Sequence, residues 1–362
     1  MVLIASMAMS AKAMPVRARA TLLSLYAKSD AIMVARYDKR EDSGTNRVGD
    51  GFTAVTTKTY FDVSTVIKGE PRKFVVIEAE EFRYQIQKGN DAPTDAAFVV
   101  GVDSGDLNNV PKPGDTVLLF LKNDGDAMTL ADERDGVRKI TPGEQSIFVD
   151  RIRELNSIFD NSESDSAKIA AWLVRCAEQP ATRWDGTHEL MQGFRHLEWR
   201  EKADANGYER IDPSVSYVHG ADAANALSSE LKNTLTQILV NSDFSSLTKT
   251  AGISEGDREL IALVKRWDPK TAANYLLGQL KSRAFTAHEN AGMMYKISEL
   301  LGDSRSADIT RTYRETSTND RNAPTNSVRS AASNADLLAR TLDRFIRNAE
   351  TALANPESIQ FN

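Results

Sequence analysis

The apolar residues of this chain change their spacing once. Before about Asn161 they fall in short runs with patches of alternation, and beyond it they recur every third or fourth residue. Alternation places side chains on opposite faces of a strand, whereas the longer step lines one stripe of a helix, so one segment cannot serve both geometries. The switch therefore predicts an α+β multidomain chain: a small antiparallel β-barrel (OB-like) followed by an all-α helical array or bundle. A length of 362 residues agrees, because single cores stop growing near about 250–300 residues. The expected organisation is a terminal segment at 1–20, a β domain with a flanking helix at 21–160, and a helical domain at 161–362.

The predicted strands are Ala31 to Tyr37, Phe52 to Ile67, Phe74 to Glu78, Val99 to Val102, Thr116 to Leu121 and Met128 to Leu130. They are rich in β-branched and aromatic residues and bounded by turn formers. Alternation through Phe61, Val63 and Thr65 slips at Val66-Ile67, which predicts a bulge or a change of buried face there. Val117 to Leu121 does not alternate at all, the pattern of a strand covered on both faces. Lys68-Gly69-Glu70-Pro71, Pro113-Gly114-Asp115 and Asn123-Asp124-Gly125-Asp126 supply the turns. A closed or nearly closed barrel hides strand edges best at this size.

The segments Ser29-Asp30-Ala31-Ile32-Met33-Val34-Ala35-Arg36, Phe61-Asp62-Val63, Val66-Ile67-Lys68-Gly69 and Pro113-Gly114-Asp115 with Leu118 to Leu121 resemble the netrin or metalloproteinase-inhibitor-like OB-fold module of secreted proteins, over roughly residues 28–135. In animal inhibitors of that family an N-terminal cysteine chelates the protease zinc. Here the first and only cysteine is Cys176, so the resemblance does not extend to inhibition by that route.

Thr141-Pro142-Gly143-Glu144 reads as a capping box before a helix carrying Phe148, Ile152, Leu155 and Phe159. The polar stretch 161–166 follows as the expected boundary. Further helices are predicted near 166–178, 183–202, 222–241, 255–267, 270–282, 285–301, 304–315 and 328–354, with start signals at Thr182, Ser254, Asp268 and Asp303. Short connections force antiparallel neighbours. No fixed sequence period emerges, so a degenerate HEAT-like array and a compact bundle both remain open.

Charge narrows the partners. Up to residue 160 there are 21 Lys and Arg against 24 Asp and Glu, and beyond it 24 against 27. Such an even acidic balance argues against nucleic acid, whose affinity comes from clustered cations. The single Cys176 excludes an intramolecular disulfide and sits in an apolar helical run, the setting of an inert buried thiol. The N-terminal stretch is small and apolar with A-x-A patterns at Ala11-Lys12-Ala13 and Ala18-Arg19-Ala20. It has the shape of a truncated secretory signal, with a terminal tail as the alternative, so the expected location is periplasmic or secreted, against a cytoplasmic alternative. No run of eighteen apolar residues occurs, and no transmembrane segment is expected.

The predicted helix from Arg183 carries the main site candidates. His188-Glu189-Leu190-Met191-Gln192 begins like a zinc-protease H-E-x-x-H motif, but Gln192 stands at the second ligand position. His196 lies more than two turns from His188, too far to share an ion on a regular helix. Trp184, His188, Met191, Arg195 and Trp199 form one stripe, while Leu190, Phe194 and Leu197 form another. The first stripe reads as a recognition groove, since Trp and Arg dominate interface hot spots, or as an inner helix packed on both sides with Arg195 snorkelling. The long loop from Gly207 to Gly220 is a further functional candidate. The acidic turns at 124–126 and 132–136 lack calcium-loop spacing. No P-loop, serine elbow, dinucleotide fingerprint or paired-cysteine motif occurs, and neither cofactor nor metal is called for.

The expected role is a non-enzymatic envelope or secreted protein that presents surfaces to protein partners. Two alternatives stand beside it: a hydrolase, metal-dependent or metal-free, drawing on His188, His196, Glu189, Asp185 and His219, and an oligosaccharide-binding OB-type module. Trp199→Ala separates the readings of the stripe. A folded variant that loses a bound partner supports the groove, and loss of cooperative unfolding in urea supports the packed helix.

Overall fold

The architecture comes from a computed structural model that describes residues 19–49, 52–85, 97–100, 111–125, 127–160, 165–206, 218–242, 255–282, 285–321 and 328–355. The chain divides into two compact units, Met1–Pro142 and Gly143–Asn362.

The first unit opens with helix α1 (Leu22–Lys28), followed by β1 (Ala31–Gly49), β2 (Phe52–Lys68), β3 (Phe74–Gln85), β4 (Ala97–Val100), β5 (Thr116–Asp124), β6 (Ala127–Leu130) and β7 (Val137–Lys139). Their order in the antiparallel sheet is β4-β3-β2-β1-β5-β6, with β7 paired to β5. The sheet curls so that β3 approaches β6. Among the described residues no ladder joins those two strands, so the unit is a half-barrel rather than a closed one.

Its interior takes every second residue of β1 (Ala31, Met33, Ala35, Tyr37) together with Phe61, Val75, Ile77, Val117, Leu119 and Leu121. The intervening Ile32, Val34, Leu118 and Phe120 are fully buried too. The start of β1 and most of β5 are thus covered on both faces, as the unbroken apolar run Val117 to Leu121 requires. Helix α1 lies against β5, with Leu22 and Leu25 wholly buried.

Lys68 at the end of β2 ties α1 down. Its ammonium donates to the carbonyls of Ser29 (2.6 Å) and Tyr26 (3.3 Å) and sits 4.2 Å over the Tyr26 ring. Burial pulls its pKa down, and the charge of Asp30 acts against that shift. Ahead of α1 the backbone of Ala20 is held on both sides: its N–H donates to Asp135 Oδ2 (2.6 Å) and its carbonyl accepts from Arg138 Nη2 (3.1 Å).

The bulge falls where the spacing slips. Ile32 pairs with Lys68 and Met33 with Val66, so the ladder skips Ile67. Some elements differ from the sequence reading, β3 among them, which runs to Gln85 rather than ending at Glu78. β1 continues through the polar stretch to Gly49 because β2 runs alongside and supplies the ladder, itself backed by β3 on its other edge. β7 and α1 are additional elements. The expected strand at Val99 to Val102 is met by β4 up to Val100, and the residues after it lie outside the described ones.

The second unit contains α2 (Pro142–Phe159), α3 (Ser166–Glu178), α4 (Arg183–Asn206), α5 (Val218–Asn225), α6 (Ser229–Asn241), α7 (Glu255–Lys265), α8 (Pro269–Ser282), α9 (Ala287–Leu301), α10 (Ser304–Arg321) and α11 (Val328–Ala354). The expected division near Asn161 moves to Pro142/Gly143, and α2 joins the helical unit instead of flanking the sheet. The reason is specific: the Trp172 indole donates to the Arg151 carbonyl (2.8 Å), and Glu154 binds both Arg151 and Arg175. The single helix expected over 222–241 is two, because Ser228 caps a fresh start by accepting the Leu231 N–H. Asp165 and Thr286 cap α3 and α9, the latter with Glu289 in a full capping box. The principal helix packings among the described residues join elements no more than three apart in sequence.

Gly69 closes the β2 to β3 turn at φ +90°, and an added Cβ would meet Ala31 Cβ at 2.8 Å and Asp30 O at 3.1 Å. Gly125 has φ +61° but nothing within 4 Å of such a Cβ. Gly125→Ala is expected to cost roughly 1–2 kcal/mol from the left-handed backbone alone. Gly69→Ala should cost clearly more, read as the lower urea midpoint of the two variants.

Candidate functional site

Helix α4 holds the sequence candidates between two neighbours. A Cβ on Gly186 would overlap the Leu173 carbonyl of α3, and one on Gly256 at the start of α7 would lie 2.9 Å from the Trp184 nitrogen. Glycine at both positions lets the backbones close to that range. Polar side chains trapped there must pair within the protein, since burial without partners is costly.

They do pair. Arg183 Nη1 meets Asp257 Oδ1 at 2.8 Å with both side chains buried, and its Nε donates to the Ala177 carbonyl (3.0 Å). His188 Nδ1 lies 2.6 Å from Glu259 Oε1, and the imidazole stacks on Trp184 with centroids 4.7 Å apart. The partners assign the tautomer: Nδ1–H donates to the carboxylate, and Nε2 accepts from Gln192 Nε2 at 3.2 Å. Gln192, at the position where a zinc-protease motif places its second ligand, thus lies against Nε2 of His188.

Of the remaining stripe residues, Met191 is buried and Arg195 exposed, while the side chain of Trp199 lies outside the described residues. The structure therefore brings Trp184 and His188 together with Glu259 of α7 and sets Arg195 apart. Asp185 and Glu189 are buried, and His196 is half-buried. His219 belongs to α5, with its side chain outside the described residues, as is the loop 207–217. Among the described residues no group of three or more His, Cys, Asp or Glu is placed to hold a metal ion. Burial pushes the Cys176 thiol well above its ordinary pKa, and Asp185 adds to the shift, which makes a thiolate nucleophile unfavourable. The acidic turn at 132–136 serves the fold: Asp132 accepts from the amides of Arg134 and Asp135 and faces Lys28 at 3.5 Å.

A second site appears only in three dimensions. Helices α9 and α10 run as an antiparallel hairpin turned at Gly302, and a groove of about 840 Å³ opens along it. That volume is in the range of ligand-binding clefts. Ala291 and Gly292 lie on the α9 side and Ala307 on the α10 side, with Tyr295, Arg311 and Arg314 also lining it. Tyr295 is 61% exposed. Polar contacts join the two helices: Ser298 Oγ to Thr310 Oγ1 at 3.0 Å, both residues lining the groove, and Asn290 Nδ2 to Tyr313 OH at 3.2 Å.

The carboxylates in this groove already have partners. Glu299 Oε1 binds Lys265 Nζ at 2.6 Å. Asp303 accepts from the amides of Arg305 and Ser306, the Ser306 hydroxyl and Asn348 Nδ2. Burial pushes the Asp303 carboxyl up, but the Ser306, Asn348 and Arg305 donors outweigh it and leave the pKa below the usual aspartate value. The stripe 288, 291/292, 295, 299, 302 is helical spacing in the sequence, yet its small residues read as core filler until the opposing helix is placed.

The chain matches no family model, no curated protein and no solved structure.

Two predictions follow from this chemistry. Arg183→Met leaves Asp257 buried without its cation and should destabilise by about 3–5 kcal/mol, measured by urea unfolding, while adding Asp257→Leu should return much of the loss. Asp303, with its lowered folded pKa, contributes stability that is present above the ordinary aspartate pKa and is lost as pH falls through the folded value. Asp303→Asn should therefore cost stability at pH 7 and little at pH 2, and an equal cost at both would contradict the assignment.

Proposed function

We propose that this protein is a non-enzymatic binding protein whose helical unit receives a segment of a protein partner in the groove between α9 and α10. The carrying observation is the groove itself, an open volume of about 840 Å³ with an exposed tyrosine and two arginines around small-residue surfaces. Tyrosine and arginine are enriched at interface hot spots because each combines large contact area with polar donors. The groove side chains 288 to 302 span roughly 21 Å at the helical rise of about 1.5 Å per residue. An extended segment of about six residues covers that distance.

The half-barrel is proposed to be an OB-type module of the netrin-like kind. In support, β1 is flanked by β2 and β5, β6 follows β5, and β3 curls towards β6. The segments that carry the resemblance lie on β1, β2 and β5 and in their turns. Export is proposed from the apolar start of the sequence. The clamp on Ala20 bears on where processing would fall: a cut after Ala20 would sever the residue that Asp135 and Arg138 hold, whereas a cut after Ala13 leaves the clamp intact. No helix among the described residues is long and apolar enough to cross a membrane.

The binding role is tested by placing a benzophenone photo-crosslinking amino acid at position 295 in living cells. Discrete adducts are expected from that position, suppressed by Gly292→Leu and absent from the exposed control position 337. Adducts that ignore Gly292→Leu would overturn the groove as the binding surface. For export, intact mass of the mature chain is expected to show a start at Met14, and a start at Thr21 contradicts the clamp argument.

A further inference from the structure

For most of its length β3 has a neighbour on one side only. β2 pairs with it in one unbroken register from Phe52–Tyr84 to Asp62–Phe74, whereas β4 covers its other edge only from Phe82 to Gln85. Met128 of β6 shares the core cluster with Val75 and Ile77, but among the described residues no ladder joins β6 to β3.

The register fixes which backbone groups are left over. The Lys73 carbonyl accepts from the Val63 N–H at 2.9 Å, so the pairs that bond towards β2 are Val63–Lys73, Phe61–Val75, Thr59–Ile77 and Thr57–Ala79. In the alternate residues Phe74, Val76, Glu78 and Glu80 the N–H and C=O therefore aim away from β2. Among the described residues these groups have no hydrogen-bond partner. Glu78, Ala79 and Glu80 are exposed, and Phe74 is 69% exposed. An open edge of this kind is a template for a further strand.

Charge selects the strand. Arg72 and Glu80 are both exposed, and neither has an ion pair or hydrogen bond among the described residues. Glu78 is already held by Lys58. The stretch from Arg72 to Glu80 is thus basic where it begins and acidic where it ends. A second copy laid antiparallel sets Arg72 against Glu80, and two-fold symmetry makes that contact twice. A parallel copy in register would align like charges instead, which is unfavourable. With Val76 opposite Val76 of the second copy, the outward backbone groups meet as Val76 with Val76 and Phe74 with Glu78. Phe74 then falls diagonally beside Val76 of the second copy, and on the inner face Val75 falls opposite Ile77.

We propose that the open edge of β3 is a homodimer interface, in which β3 of a second copy pairs antiparallel about a two-fold axis at Val76. This surface belongs to the β unit and stands apart from the reading of the groove between α9 and α10.

Sedimentation velocity of the full chain is expected to show a concentration-dependent monomer–dimer equilibrium. Arg72→Glu and Glu80→Arg should each raise the dissociation constant about ten-fold or more, because symmetry doubles every like-charge contact. Combined, the two substitutions restore opposite charges and should return the constant close to the parent's, which a folding defect would not do. Val76→Cys should form an intermolecular disulfide under mild oxidation, since hydrogen-bonded antiparallel partners stand about 5.5 Å apart at Cα. Glu80→Cys should not, its two copies being about 27 Å apart at roughly 3.4 Å per residue. Four results would each overturn the proposal: a monomer at the highest soluble concentration, a dimer indifferent to either charge reversal, a double variant that stays dissociated, or crosslinking at position 80 as readily as at 76.

Discussion

The close approach of α3 and α7 to α4, possible only because Gly186 and Gly256 carry no side chain, governs what the polar residues of this region can do. Water is excluded from the contact, so each charged or hydrogen-bonding group needs a partner from within the chain. Arg183 finds Asp257 and the Ala177 carbonyl, His188 finds Glu259 and Gln192, and Thr187 donates to the Arg183 carbonyl. A histidine oriented by a carboxylate is the geometry of many catalytic sites. Here the second nitrogen is occupied as well, so the arrangement acts as a polar latch between two helices.

The groove on α9 and α10 shows the opposite condition. Its small residues leave a volume that none of the described residues fills, and polar contacts hold its two helices together. The Ser298–Thr310 and Asn290–Tyr313 contacts tie the two walls to each other at fixed points. In the β unit the analogous rigidity comes from β1, whose first residues are paired on both edges and buried on both faces. The charged stretch after Tyr37 is paired to β2, and the ladder with β5 stops at Arg36. Lys39, Arg40, Glu41 and Asp42 along that stretch are the kind of residues that keep a strand edge from pairing at random.

Much of the element pattern was legible because it is local. The caps at Asp268 and Asp303 follow from residues within a few positions of one another, and so does the slip in spacing at Ile67. The distal half of β1 was not legible: Asp38 to Gly49 has no apolar alternation, and its strand conformation depends on the ladder that β2 supplies across the hairpin. The unit boundary was misplaced for a similar reason. Nothing near Pro142 reveals that α2 is tied to α3 through Trp172 and Arg175. The stripe on α4 was visible as a pattern, but Glu259, which gives His188 its setting, lies 71 residues away.

By itself, then, the sequence determined most of the elements and their class, because side-chain spacing and capping act over one or two turns of chain. Only the tertiary structure decided which polar residues are latched and which face an open groove. Those outcomes depend on backbones brought together from distant positions, and on glycines whose meaning is set by what stands opposite them: at Gly186 a neighbouring carbonyl, at Gly292 empty space.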